Sequence, residues 1–141
     1  IIMTKIIKLL FLISLIAQPL MAKNSHIQEG IKLFNDKKFK EAKFKFEQDI
    51  VFNPKSEMSY LYLSKIFKNL NKKDLQEKNL NTVILLNPKN EEAIFILARL
   101  KLDSSDYKKS KELNNRLNFL CKKYCNESKK LKIEIENLSK K

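Results

Sequence analysis

The chain has 141 residues, with 29 Lys and Arg against 16 Asp and Glu, a formal net charge of +13 and 43% hydrophobic residues. A single glycine leaves no material for a Gly-rich phosphate loop, and two cysteines with one histidine fall short of the usual metal-ligand sets. The length suits one domain, and the charge points toward acidic partners or anionic surfaces.

Residues 1–22 differ from the rest. Ile1 and Ile2 precede Met3, which reads as the natural start. Lys5 and Lys8 make a positive n-region, Leu9 to Ala17 an apolar h-region, and Gln18-Pro19-Leu20-Met21-Ala22 a cleavage region, so residues 1–22 read as a signal peptide cut after Ala22. Leu20 is larger than the small residue preferred two before the cut. A retained leader would tether the domain to a membrane, although Gln18 and Pro19 interrupt it short of the ~20 apolar residues that span a bilayer. The expectation is export to the bacterial periplasm as a soluble product, which loses only Lys5 and Lys8 among its charges.

Asn24 or Ser25 can cap a first helix in which Ile27, Gly30, Ile31 and Phe34 recur at the 3.6 period, and Asn35-Asp36 end it. A second helix from near Lys38 carries Phe39, Ala42, Phe46 and Ile50 on one stripe. The third holds Met58, Leu61, Tyr62 and Ile66 and is apolar on two faces, as a helix sandwiched between neighbours must be. After the polar stretch 69–73, the fourth carries Leu80, Val83, Ile84 and Leu86. Asn90 caps the fifth, Ala93 to about Leu102, with Glu91 and Glu92 favourably placed beside its positive N-terminus. Asp103-Ser104-Ser105-Asp106 is a turn. Tyr107, Leu113, Leu117 and Leu120 mark the sixth helix, and Leu131, Ile135 and Leu138 a closing one from Glu127 to about Ser139.

These segments repeat. Asn53-Pro54 returns as Asn87-Pro88, and the same interval aligns Gly30, Ser64 and Ala98, all small enough for a close helix crossing. The interval is that of a helical-hairpin repeat, about 34 residues. The pattern resembles the tetratricopeptide repeat, W-x2-L-G-x2-Y, then A-x3-F, then P. Residues 23–56 place Gly30, Leu33, Ala42, Phe46 and Pro54 at the motif positions, with His26 and Glu29 departing from it. Residues 57–90 place Tyr60, Leu63, Ser64, Phe67, Leu80 and Pro88, with Gln76 where a small residue is usual. Residues 91–124 keep Ile94, Leu97 and Ala98, whereas Lys101, Ser110, Asn114 and Lys122 stand at the bulky, small, aromatic and proline places. The resemblance implies an all-α, right-handed α-solenoid of three helical hairpins (23–56, 57–90 and 91–124) closed by a capping helix, 125–141.

Cys121 and Cys125 are the only cysteines, and in an exported protein such a pair is most often a disulfide. Small exported bacterial repeat proteins end in a similar C-x3-C segment followed by L-x3-I, which Cys121, Cys125, Leu131 and Ile135 resemble. The x3 spacing and helical context do not match the C-x2-C pair of a thioredoxin-like catalyst. His26 has no metal-ligand companions and reads as a packing residue; no serine or cysteine stands in a nucleophile motif, and Glu91-Glu92 and Glu134-Glu136 read as helix-end and solvent-face charges. The expectation is a non-enzyme without cofactor or metal.

In the repeat family the first helices of successive hairpins line a concave groove. Here that implies Ile27, Ile31 and Phe34, then Leu61, Lys65 and Lys68, then Phe95, Arg99 and Leu102: apolar anchors beside three cations, suited to an acidic partner peptide or helix with apolar anchors of its own. The family's chaperone-binding subgroup holds a peptide carboxylate with lysine and asparagine, but Ile27 and Ile31 occupy the first two of those places, so that ligand class does not carry over. The leading function is therefore a protein-interaction adaptor or scaffold of the cell envelope. The alternative is a basic binder of anionic polymers or membrane surfaces: nucleic acid, acidic glycan or lipid head groups. With only Arg99 and Arg116 as arginines, the lysine-rich surface argues against nucleic acid.

Overall fold

The computed structural model describes residues 26–140, which contain seven helices and no strand. The leader, its cleavage site after Ala22 and the capping residues Asn24 and Ser25 lie outside the described residues. The helices are α1 (26–35), α2 (Phe39–Phe52), α3 (Glu57–Asn69), α4 (Lys73–Leu86), α5 (Glu91–Asp103), α6 (Tyr107–Leu120) and α7 (Cys125–Leu138). They fall into two compact units that divide between Ser56 and Glu57.

Each pair of helices is joined by the same turn. Lys37, Asn71 and Ser105 have φ of 60°, 54° and 60° and stand at the same place in successive repeats. At each, the next residue's N–H reaches back to a carbonyl five residues earlier: Lys38 to Leu33, Lys72 to Phe67, Asp106 to Lys101. This is the six-to-one bond of a Schellman C-cap, a geometry that favours glycine at the left-handed position because that residue lacks a Cβ. None of the three is glycine, so the sequence marks these turns only weakly.

In the first unit, Gly30 of α1 faces Phe46 of α2 so closely that a Cβ there would lie 2.9 Å from the fully buried ring. Ala42 is buried one turn earlier in α2. The Phe34 and Phe39 rings meet edge to face at 5.5 Å across the turn, and His26 stacks on Phe52, in keeping with a packing role.

In the second unit α3 packs on α4, α5 on α4 and α6, and α7 on α5 and α6. Leu80, Val83, Ile94, Leu97, Leu117 and Leu131 form the centre of one continuous core. Ser64 and Ala98 are fully buried, as their small size requires. The closing helix begins at Cys125, slightly earlier than the Leu131, Ile135 and Leu138 pattern indicates, and one repeat length after the start of α5 at Glu91.

All four departures from the repeat pattern in residues 91–124 have a structural use. Lys101 pairs with Glu77 of α4 at 2.6 Å. Ser110 is fully buried and its hydroxyl donates to the Ala98 carbonyl at 2.8 Å, tying α6 to α5. Asn114, where an aromatic is usual, donates from Nδ2 to the Ser128 carbonyl at 3.0 Å and accepts the Ser128 hydroxyl at 3.1 Å, docking α7. Lys122 stands where proline is usual and donates its backbone N–H to Glu91, a bond that proline lacks the hydrogen to make.

Candidate functional site

The predicted groove residues divide between the two units. Ile27, Ile31 and Phe34 lie on α1, each half-buried. In the second unit Leu61 and Leu102 are core residues, 9% and 4% exposed, and this corrects their reading as anchors for a partner: their apolar surface is already taken up in packing. The remaining four stay nearer the surface.

Phe95 and Arg99 are four apart on α5 and so share a face. With Lys68 from the end of α3 they line one pocket of about 330 Å³, together with Lys73, Asp103 and neighbouring polar and apolar side chains. The pocket thus offers an aromatic wall, a guanidinium, two ammonium groups and one carboxylate within one concavity. Lys68 is exposed, and among the described residues no carboxylate pairs with it.

The other two predicted cations are held by the chain's own acids. Arg99 forms an ion pair with Glu134 of α7, and Lys65 pairs with Glu92 of α5 at 2.7 Å while lying 4.9 Å from the centre of the Tyr62 ring. Phe95 in turn packs at 5.5 Å against Tyr124, at the start of α7. Burial pushes the Tyr124 phenol up, helped by the nearby carboxylates of Glu92, Glu127 and Glu91, so it stays neutral against the Phe95 ring. The wall of the pocket is therefore set by where α7 docks.

That docking rests on Glu91. Its carboxylate accepts three consecutive backbone N–H groups, from Lys122, Lys123 and Tyr124, each at 2.9 Å. One repeat earlier Glu57 receives the side-chain amides of Asn87 and Asn90, while Asn90 Oδ1 also accepts the Ala93 N–H and caps α5. So the acidic residue opening a hairpin anchors the turn that ends it. Local sequence reads Glu91 as a helix-end charge and Glu134 as a solvent-face charge and misses both roles; the one-repeat spacing of Glu57 and Glu91 is the available signal for the first. Cys121 and Cys125 bracket the same three N–H groups, with Cα atoms 5.2 Å apart, inside the span that a disulfide bridges.

No protein-family profile matches the chain, and no curated protein matches it in sequence. Solved structures do. The TPR2B domain of yeast Sti1, determined as a pHsp70 complex, superimposes with a TM-score of 0.77 at 15% identity, over 84% of this chain and 98% of that one. The fold is that of the tetratricopeptide repeat. The type III secretion chaperone SycD of Yersinia enterocolitica, in complex with a peptide of the translocator YopD, gives 0.74 at 14% identity over 84% and 94% of the two chains. The first tetratricopeptide domain of Spaghetti (RPAP3), bound to an HSP90 peptide, gives 0.70 at 17% over 82% and 94%. Among the described residues no group of His, Cys, Asp and Glu is placed to hold a metal ion, and no helix is long and apolar enough to cross a membrane.

Proposed function

We propose that this tetratricopeptide-fold protein is a non-enzymatic adaptor that holds a partner's peptide or helix on the surface of α3 and α5. The observation that carries the reading is the convergence of Lys68, Phe95 and Arg99 on one pocket. Phe95 takes an apolar side chain, Lys68 takes a carboxylate without first breaking an ion pair, and Arg99 joins by exchanging Glu134 for the partner's acid. Apolar contact supplies affinity and the cations set orientation. Of the three similar structures named above, two were determined with a peptide and the third as a pHsp70 complex, which supports the class of ligand. The carboxylate clamp of chaperone-tail binders is not part of the proposal, because Ile27 and Ile31 stand at two of its positions.

The proposal extends to place. Residues 1–22 direct the chain to the bacterial periplasm and are removed after Ala22, and there Cys121 and Cys125 join in a disulfide that holds the loop around Glu91 closed. Cross-linking in the native cell followed by mass spectrometry tests both parts. The expected result is one specific protein linked beside Lys68 or Arg99, on a chain that begins after Ala22 and has no free thiol. Recovery of only abundant bystanders would reject the adaptor, and a chain retaining Met3 would reject cleavage.

A further inference from the structure

Three large apolar side chains are left outside the core at one position of the repeat. Val51, Leu85 and Phe119 are each the penultimate residue of a hairpin's second helix, and they are 75%, 82% and 89% exposed, the highest values of any large hydrophobic residue described. The hairpins do not need them, since the stripes that pack α4 and α6 are Leu80 with Val83 and Leu113 with Leu117.

Leu85 and Phe119 belong to the second unit, and the chain brings their helix ends together: Arg116, one turn before Phe119, donates to the carbonyl of Pro88, just after the end of α4. The cations next to these tips are Lys89, just past the end of α4, and Arg116, Lys122 and Lys123 at the end of α6. The acids nearest them are already engaged: Glu91 accepts three backbone N–H groups, and Glu77, on Leu85's face of α4, pairs with Lys101. Projecting apolar tips set among lysines fit a surface that is anionic outside and hydrocarbon a few ångströms below.

We propose that the ends of α4 and α6 dock on an anionic lipid bilayer, with Leu85 and Phe119 entering the boundary between head groups and acyl chains and the surrounding lysines on the head groups. A second copy of the chain is a poorer occupant, because pairing two such faces sets like charges against one another. A nucleic-acid duplex satisfies the lysines and gives the apolar tips nothing to enter.

The chain has no tryptophan, so Phe119→Trp, Leu85→Trp and, on α7, Ile133→Trp each introduce a single fluorophore at an exposed apolar position. The leader is apolar in sequence, and comparing sites within the full chain separates its contribution. With vesicles of phosphatidylglycerol and phosphatidylcholine, emission from Phe119→Trp and Leu85→Trp should move to shorter wavelength, that from Ile133→Trp should not, and phosphatidylcholine alone should move none. Leu85→Ser with Phe119→Ser should lower partitioning onto the anionic vesicles roughly tenfold, and added salt should lower it further. Four results would each overturn the inference: no shift at Leu85 or Phe119, an equal shift with neutral vesicles, a shift that grows with protein concentration in the absence of lipid, or binding to duplex DNA without binding to vesicles.

Discussion

Glu91 and Tyr124 are far apart in sequence, yet the carboxylate of the first accepts the backbone N–H of the second at 2.9 Å. The neighbouring N–H groups of Lys123 and Lys122 complete the set, so one side chain at the start of α5 determines where α7 begins. These bonds, led by Tyr124 and then by Lys123 and Lys122, hold the Glu91 carboxyl below its ordinary 4.5 despite an opposing contribution from desolvation. A carboxylate depressed in the folded state stabilises fully above its unfolded value, and that stabilisation is lost as pH falls through the folded value. Glu91→Gln should therefore lower the melting temperature at neutral pH, with the difference from the parent shrinking as pH drops below 4.5. A difference that is constant across that range would sink the account.

Asn114 and Ser128 form a buried reciprocal pair between α6 and α7. Asn114→Ala should cost about 1–3 kcal/mol, because the Ser128 hydroxyl is left buried without its better partner. Asn114→Leu combined with Ser128→Ala should recover much of that, since both polar groups are removed together. Chemical denaturation of the single and double variants gives the coupling energy.

Lys37 and Ser105 hold a left-handed backbone that glycine adopts freely. Lys37→Gly and Ser105→Gly should each raise stability by roughly 0.5–1 kcal/mol. Asn71→Gly should gain less, because asparagine tolerates that conformation best of the three. Thermal melts of the three variants would show the order, and a loss at Lys37 or Ser105 would contradict it.

Gly30 lies under the Phe46 ring. Gly30→Ala gains roughly 1 kcal/mol of helix propensity and loses roughly 1–3 kcal/mol to overpacking. The net should be destabilising, and Phe46→Leu in the same chain should relieve it. If Gly30→Ala is stabilising in the Phe46 background, the close approach of α1 and α2 is not as described.

Binding of a partner at the α3–α5 surface should fall about tenfold or more with Phe95→Ala and with Arg99→Glu, the first by loss of an apolar anchor and the second by charge reversal beside Lys68. Lys129→Glu, on an exposed stretch of α7, should matter much less. Glu134→Gln should strengthen binding, because it frees Arg99 from its internal partner. Calorimetry with the partner found by cross-linking distinguishes these. Equal loss from Phe95→Ala, Arg99→Glu and Lys129→Glu would indicate general charge or folding effects and not a site.

Periodicity alone was enough for the class of fold. Apolar residues at the 3.6 period, the return of Asn-Pro at one repeat length and the alignment of Gly30, Ser64 and Ala98 are one-dimensional signals, and helices with close crossings are their direct physical result. Lys68, Phe95 and Arg99 were legible as a group for the same reason, since residues at matching places of successive helices share a face. Pairing across the chain was not legible. Whether Leu61 and Leu102 end in the core, whether Glu91 meets solvent or three N–H groups, and whether Arg99 is free or held by Glu134 depend on which helix lies opposite. A hydrogen bond or ion pair between residues a whole repeat apart leaves no periodic trace, because its strength comes from a distance that only the packed helices define.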